Sequence, residues 1–233
     1  MRTILLALSL TFLGQPLLAA EPGPLKVFVL AGQSNMVGKR CEASELPAEL
    51  RREQPQALVF QGKEWVPLKP GVTEKSGFGP EISFAARMVE SLGEPIGIVK
   101  VSRGGTNLAE QWSPERPSSL YATLRDIVAK AAASRKIKDV GMIWMQGGAD
   151  ARHPAMAKAY RQNLTALIRK AREDFQNPDM VFVCGRSAAP QASYKNIADV
   201  RQAQESIDLP SYAWVDHDDI PKGADGVHYN TRG

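Results

Sequence analysis

Cysteine is scarce, with two residues, Cys41 and Cys184, in a chain of 233. That number excludes a disulfide scaffold. One bridge is still permitted, although Cys184 closes an apolar run and reads equally well as a small buried hydrophobe. A strong charge of one sign is also missing, since 29 basic residues against 25 acidic ones leave +4. So mild an excess gives no electrostatic footprint for nucleic acid. The basic clusters Arg135-Lys136-Ile137-Lys138 and Arg169-Lys170-Ala171-Arg172 are interleaved with apolar residues and flanked by acids, as solvated helix faces are. Past residue 20 no stretch is apolar enough to span a bilayer. Internal repeats, low-complexity segments and a composition break that would mark a second domain are absent as well.

The N-terminus is the exception. Arg2 precedes an apolar run from Ile4 to Leu13, and the stretch closes on Leu17-Leu18-Ala19-Ala20. A charged head, a short greasy core and small residues at the end read as a secretory signal peptide over residues 1–20. Its removal takes Arg2 and no acid, so the formal charge falls from +4 to +3. The mature domain is then residues 21–233, exported to a periplasmic or extracellular space, with no membrane attachment once the signal is gone.

Five apolar, β-branched runs follow: Lys26 to Ala31, Ile96 to Val101, Val140 to Met145, Met180 to Cys184 and Tyr212 to Val215. The first four are continuous rather than alternating, as strands buried on both faces of a parallel sheet are. Helical spacing fills the gaps. Ile82, Ala85, Ala86, Val89 and Leu92 lie on one face of a helix with Pro80 at its first position and Gly93 as its stop. A second helix, capped by Ser118, carries Leu120, Leu124, Ile127, Val128 and Ala131. A third runs from Ala155 to about Phe175, and a fourth covers Ile197, Val200, Ala203 and Ile207. Alternating strand and helix predict one three-layer α/β domain, with a mostly parallel five-stranded sheet between helices. The stretch from Lys39 to Phe78 reads as an insertion holding a small hairpin, Ala57 to Phe60 and Glu64 to Leu68.

Polar glycine-containing loops follow the strands: Gly32-Gln33-Ser34-Asn35, Ser102-Arg103-Gly104-Gly105-Thr106-Asn107, Gln146-Gly147-Gly148-Ala149-Asp150 and, last, Asp225-Gly226-Val227-His228. In an open parallel sheet these ends share one edge, where ligand sites form. A serine hydroxyl there needs a base to take its proton, and histidine is the usual one near neutral pH. Of the three histidines, His153 begins a helix beside Pro154. His217 lies in Asp216-His217-Asp218-Asp219, read as a solvated acidic turn or, less simply, an ion site. His228 has Asp225 three residues earlier, with Gly226 letting the loop fold back.

These blocks resemble a known family. Gly-Gln-Ser-Asn-Met, Gly-Gly-Thr, Trp-Met-Gln-Gly and Asp-Gly-Val-His are similar to those of the SGNH hydrolase superfamily, in its sialate O-acetylesterase and carbohydrate (acetyl xylan) acetylesterase branch. The likeness spans Lys26 to Gly233. It implies a flavodoxin-like sheet, Ser34 as nucleophile, His228 as base and then acid, and Asp225 as its orienting carboxylate. It also implies an oxyanion hole of the Ser34 N–H, the Gly105 N–H (Gly104 being the second choice) and the Gln146 side-chain amide. Gln146 ends an apolar strand, where a buried amide needs partners, and such a donor is typically worth about 3 to 4 kcal/mol in the transition state. Gln33, Asn35, Asn107, Trp112 and Arg186 are candidate substrate contacts. No metal or organic cofactor is required, and the implied partner is an acetylated carbohydrate. Two features depart from the family. Gly148 stands where Gln-Gly-Glu would put its acid, and the chain stops at Gly233 where a helix usually follows, which implies a truncated sequence or a weakly anchored His228 loop. An SGNH lipase or thioesterase, and a catalytically silent carbohydrate-binding protein, are the rival readings.

Overall fold

The computed structural model describes residues 23–75 and 77–233, so the expected signal peptide lies outside it. Seven strands form one sheet: β1 (Leu25–Gly32), β2 (Gln54–Gln61), β3 (Glu64–Leu68), β4 (Ile96–Ser102), β5 (Ile137–Met145), β6 (Phe182–Gly185) and β7 (Tyr212–Val215). Their spatial order is β3-β2-β4-β1-β5-β6-β7. Every neighbouring pair is parallel except β2 and β3.

The expected five strands become seven because the hairpin of the insertion joins the sheet. Ala57, Leu58 and Val59 of β2 pair in register with Ile96, Gly97 and Ile98 of β4. Ala57 and Val59 are thereby buried completely, together with Leu68 of β3. Pro67 falls on β3, at the sheet edge, where its missing N–H costs no ladder bond.

Helices α1 (Ser34–Val37), α2 (Glu81–Leu92), α3 (Leu120–Ser134), α4 (Pro154–Asp174) and α5 (Ile197–Glu205) flank the sheet. One core packs β-strand residues against α3, α4 and α5, through Leu124, Tyr160, Leu164, Leu167 and Val200. The other packs Leu30, Val59, Ile96 and Ile98 against Met36 of α1 and Ile82 and Ala85 of α2. The cap of α3 is Ser119, whose Oγ accepts from the Ala122 N–H at 3.1 Å, one residue after the expected Ser118. Pro80 sits just outside α2 rather than in its first turn. Both cysteines are free: Cys184 is buried in the core and Cys41 half-buried. Among the described residues no helix is long and apolar enough to cross a membrane.

The strand ends that carry the polar loops are drawn together by close backbone contact. Gly32 ends β1 where a Cβ would stand 2.1 Å from the Met145 carbonyl oxygen at the end of β5. The next amide, Gln33 N–H, donates to that same carbonyl at 2.8 Å, and Arg103 N–H donates to Gly32 O at 3.1 Å. The loops after β1, β4 and β5 are thus locked edge to edge.

Candidate active site

Ser34 opens α1 directly after β1, and its carbonyl accepts from the N–H groups of Gly38 and Lys39. The tight turn buries the residue to 7% exposure and leaves its hydroxyl at the sheet edge. Two loops meet it there. Gly104 packs against it, with an ideal Cβ 3.6 Å from the Ser34 Cβ. From the other end of the chain comes His228, whose Nε2 lies 2.9 Å from Ser34 Oγ.

The His228 ring is oriented by its other nitrogen, Nδ1, which lies 2.8 Å from Asp225 Oδ2. The second carboxylate oxygen, Oδ1, accepts the backbone N–H groups of Val227 and His228 at 3.0 Å each. Burial works against ionisation of Asp225. The hydrogen bonds from the His228 ring and the two backbone amides outweigh it and hold the carboxyl well below the usual carboxylate range. The serine, histidine and aspartate singled out in the sequence therefore form one continuous hydrogen-bonded line.

Asn35, expected as a substrate contact, is spent differently. Its Nδ2 donates to Val227 O at 3.2 Å, and its Oδ1 accepts from Tyr229 N–H at 3.3 Å. The residue beside Ser34 thus grips the backbone on both sides of His228. Further along, Glu42 N–H donates to Thr231 Oγ1 at 3.0 Å. The His228 loop, for which weak anchoring was one of two alternatives, is laced to residues 35–42.

Gln146 is also placed differently from its expected role. Its Nε2 faces Asp150 Oδ2 at 2.6 Å and Thr106 O at 2.9 Å, and both are acceptors. An amide nitrogen has two protons, and these two partners take both. Its Oε1 lies 3.1 Å from Tyr160 OH, and flipping the amide would set oxygen against a carboxylate and a carbonyl. Gln146 is a strut beneath the site rather than a free donor facing the serine. Asp150, which sequence reasoning passed over, is the centre of that strut. It is fully buried and accepts from Leu108 and Ala109 N–H as well, fastening the loop after β4 to the loop after β5. Burial pushes its pKa up, and the donors from Leu108, Gln146 and Ala109 oppose that. Tyr160 and Gln204 complete the buried network by donating to the Gln146 carbonyl at 2.9 Å each. Asp150 was visible as a polar residue four positions past Gln146. Tyr160 was hidden in an apolar helical stripe.

The remaining candidates have partners within the protein. Trp112 is completely buried, edge-on to Trp144, with Nε1 donating to Thr106 Oγ1, so no sugar can stack on it. Asn107 Oδ1 accepts from Glu110 and Gln111 N–H and closes a turn. Arg186 is committed to Glu205, Asp216 and Asp218. Those pairings also neutralise the supposed acidic turn. Between them the His217 ring packs over Gly185 and edge-on to Tyr229, and burial lowers its pKa. Gln33 turns its Oε1 toward the N–H groups of Gly147 and Ala149 at 3.3 and 3.4 Å. At Gly148 an added Cβ would come within 3.2 Å of Tyr194 and 3.3 Å of Gln33 Nε2. Tyr194, covered by the Arg152 guanidinium at 4.8 Å, occupies the ground beside that position.

A cavity of about 470 Å³ opens beside Ser34, lined by Gly38, Lys39, Arg40, Glu42, Glu74 and Gly104 among others. A larger one of about 680 Å³ lies behind the His228 loop, against Ile143, Met145, Val183 and Val215, and does not include Ser34. Among the described residues no cluster of His, Cys, Asp and Glu is arranged to hold a metal ion.

Comparison with known proteins agrees with this architecture. A family model described as carbohydrate esterase, sialic acid-specific acetylesterase, matches residues 24–233. A probable carbohydrate esterase of Arabidopsis thaliana is 28% identical over 232 residues, covering 89% of this chain and 85% of its own. A solved Arabidopsis thaliana structure superposes with a TM-score of 0.79 at 24% identity, over 90% of this chain and 92% of that one. A carbohydrate acetylesterase from Xanthomonas citri superposes with a TM-score of 0.67 at 23% identity, over 89% of this chain and 53% of that one.

Proposed function

We propose, for a chain that belongs to the sialic acid-specific acetylesterase family of carbohydrate esterases, that Ser34 is the nucleophile of a carbohydrate O-deacetylation. The observation that carries this reading is the unbroken line from Ser34 Oγ through the His228 ring to the ionised Asp225. As Oγ attacks the acetyl carbonyl carbon, its proton passes to His228 Nε2, and Asp225 stabilises the imidazolium that results. The backbone N–H groups of Ser34 and of Gly105 are the proposed donors to the oxyanion. Collapse breaks the carbonyl–alkoxide bond, and the departing sugar oxygen takes the proton from His228. Water then loses a proton to the same nitrogen as it attacks the acetyl-enzyme; the bond from the acyl carbon to Ser34 Oγ breaks, His228 returns the proton to Oγ, and acetate leaves.

A polyhydroxylated alcohol suits the cavity beside Ser34, where Lys39, Arg40, Glu42 and Glu74 offer hydrogen-bonding groups among Val37 and Cys41. The apolar cavity that a lipase would need at its serine is instead behind the His228 loop. Residues 1–20 supply the proposed export signal, consistent with a glycan substrate outside the cytoplasm.

Hydrolysis of p-nitrophenyl acetate tests the chemistry. Ser34→Ala is expected to lower kcat by about 10⁴-fold or more with the folded state intact. Full activity in that variant would refute the assignment. An inert wild type that still bound acetylated glycans would replace it with a silent binder. Rates on acetylated xylan and on acetylated sialic acid then fix the sugar.

A further inference from the structure

Asp225 has a second charged partner that the triad does not require. Arg40 Nε stands 2.6 Å from Asp225 Oδ2, the same oxygen that faces the His228 ring. Arg40 belongs to the segment that follows the nucleophile. Its backbone φ is 76°, a left-handed conformation that a non-glycine side chain adopts at a cost. Its side-chain stem passes over Gly223, with Cδ 3.3 Å from where a Cβ on that glycine would stand. A backbone held in a costly conformation, aiming a cation at the orienting carboxylate, is a built arrangement.

We infer that Arg40 is a positioning residue that sets the proton affinity of His228 by neutralising part of the charge on Asp225. This rests on the esterase reading above. The physical argument is a competition for one oxygen. An isolated carboxylate against Nδ1 favours the imidazolium and so keeps Nε2 protonated and unable to act as base. A guanidinium on the same oxygen withdraws part of that attraction, and it also repels the imidazolium directly. The ring then loses its proton at lower pH, and the base is available over a wider range. The other ionisable groups on this wall are Lys39, Cys41, Glu42 and Glu74, which line the cavity with Ser34. On the loop side is Lys222, whose Nζ lies over the Tyr229 ring at 5.9 Å.

Arg40 is 52% exposed, so the effect is that of a solvated charge. The experiment compares wild type, Arg40→Gln and Arg40→Lys in two ways. In the pH profile of kcat/KM on p-nitrophenyl acetate, the acid limb of Arg40→Gln is expected to move to higher pH. Arg40→Lys, which keeps the charge, should stay near wild type, and 0.5 M salt should bring the three profiles together. NMR titration of the His228 ring, assigned with a His228→Asn variant, reads the same displacement without turnover. It therefore separates failure of this inference from failure of the esterase reading. Identical titration of the ring in wild type and Arg40→Gln would overturn the inference. So would equal displacement in Arg40→Gln and Arg40→Lys, which would mark a purely steric role.

Discussion

Asn35 shows how little of a side chain's task is written in its type. Beside a nucleophile, an amide reads as a group that greets substrate, yet both its ends hold the backbone around His228. Asn35→Ala removes that grip while leaving Ser34, His228 and Asp225 in place. The expectation is a fall in kcat of about 10- to 100-fold with KM and melting temperature little changed, measured by steady-state kinetics and thermal unfolding. Gln146 and Trp112 make the same point from the interior. Their residue types suited an oxyanion donor and a sugar platform, but their partners are Asp150, Thr106 and each other's neighbours. Ser34 was legible because it follows the first apolar run directly in a glycine-bounded turn, and Asp225 and His228 because they stand three residues apart around Gly226. Side-chain direction was not, since it depends on partners tens of residues away.

At the scale of elements, the parallel strands were readable as continuous apolar runs, and α2, α3 and α4 from their spacing. The hairpin's membership of the sheet was not, because β2 looks the same in sequence whether or not β4 offers it an edge. Lys100 is a second departure from pattern. It interrupts the apolar run of β4 and would be expected at the surface, but its side chain is 4% exposed and pairs with fully buried Glu81 at the start of α2. Burial lowers the Lys100 pKa, and Glu81 opposes that shift. Lys100 Nζ also donates to Val37 O, at the end of the helical turn that begins with Ser34. The pair therefore ties β4, α1 and α2 together behind Ser34. Lys100→Met leaves a buried carboxylate without its cation, and an equilibrium denaturation curve should show a loss of about 3 kcal/mol or more. Unchanged stability would mean that the hydrogen bonds to Glu81 from Thr73 and the Gly79 N–H suffice.

For the whole molecule, the two faces of the sheet are covered unequally. Three helices pack one face, whereas α1 and α2 cover only part of the other, over β2, β4 and β1. Over β5, β6 and β7 that second face lines the 680 Å³ cavity, and Val181 and Val215 are exposed at 55% and 47%. Apolar surface of this kind binds amphiphilic dyes. The native protein is expected to enhance anilinonaphthalene sulfonate fluorescence, and Val181→Thr with Val215→Thr should reduce it at a stability cost within about 1 kcal/mol. Equal fluorescence in both would place the dye elsewhere.

The hydrogen bond between Ser34 and His228 joins positions 194 residues apart. A site built from residues so far apart in sequence has a consequence in time as well as space. A ribosome completes the nucleophile's turn long before the residues that activate it exist, and non-local contacts form late in folding. Ser34 is therefore made without the ring that the proposed reaction needs beside it. The line from Ser34 to Asp225 closes only when the His228 loop docks on residues 35–42.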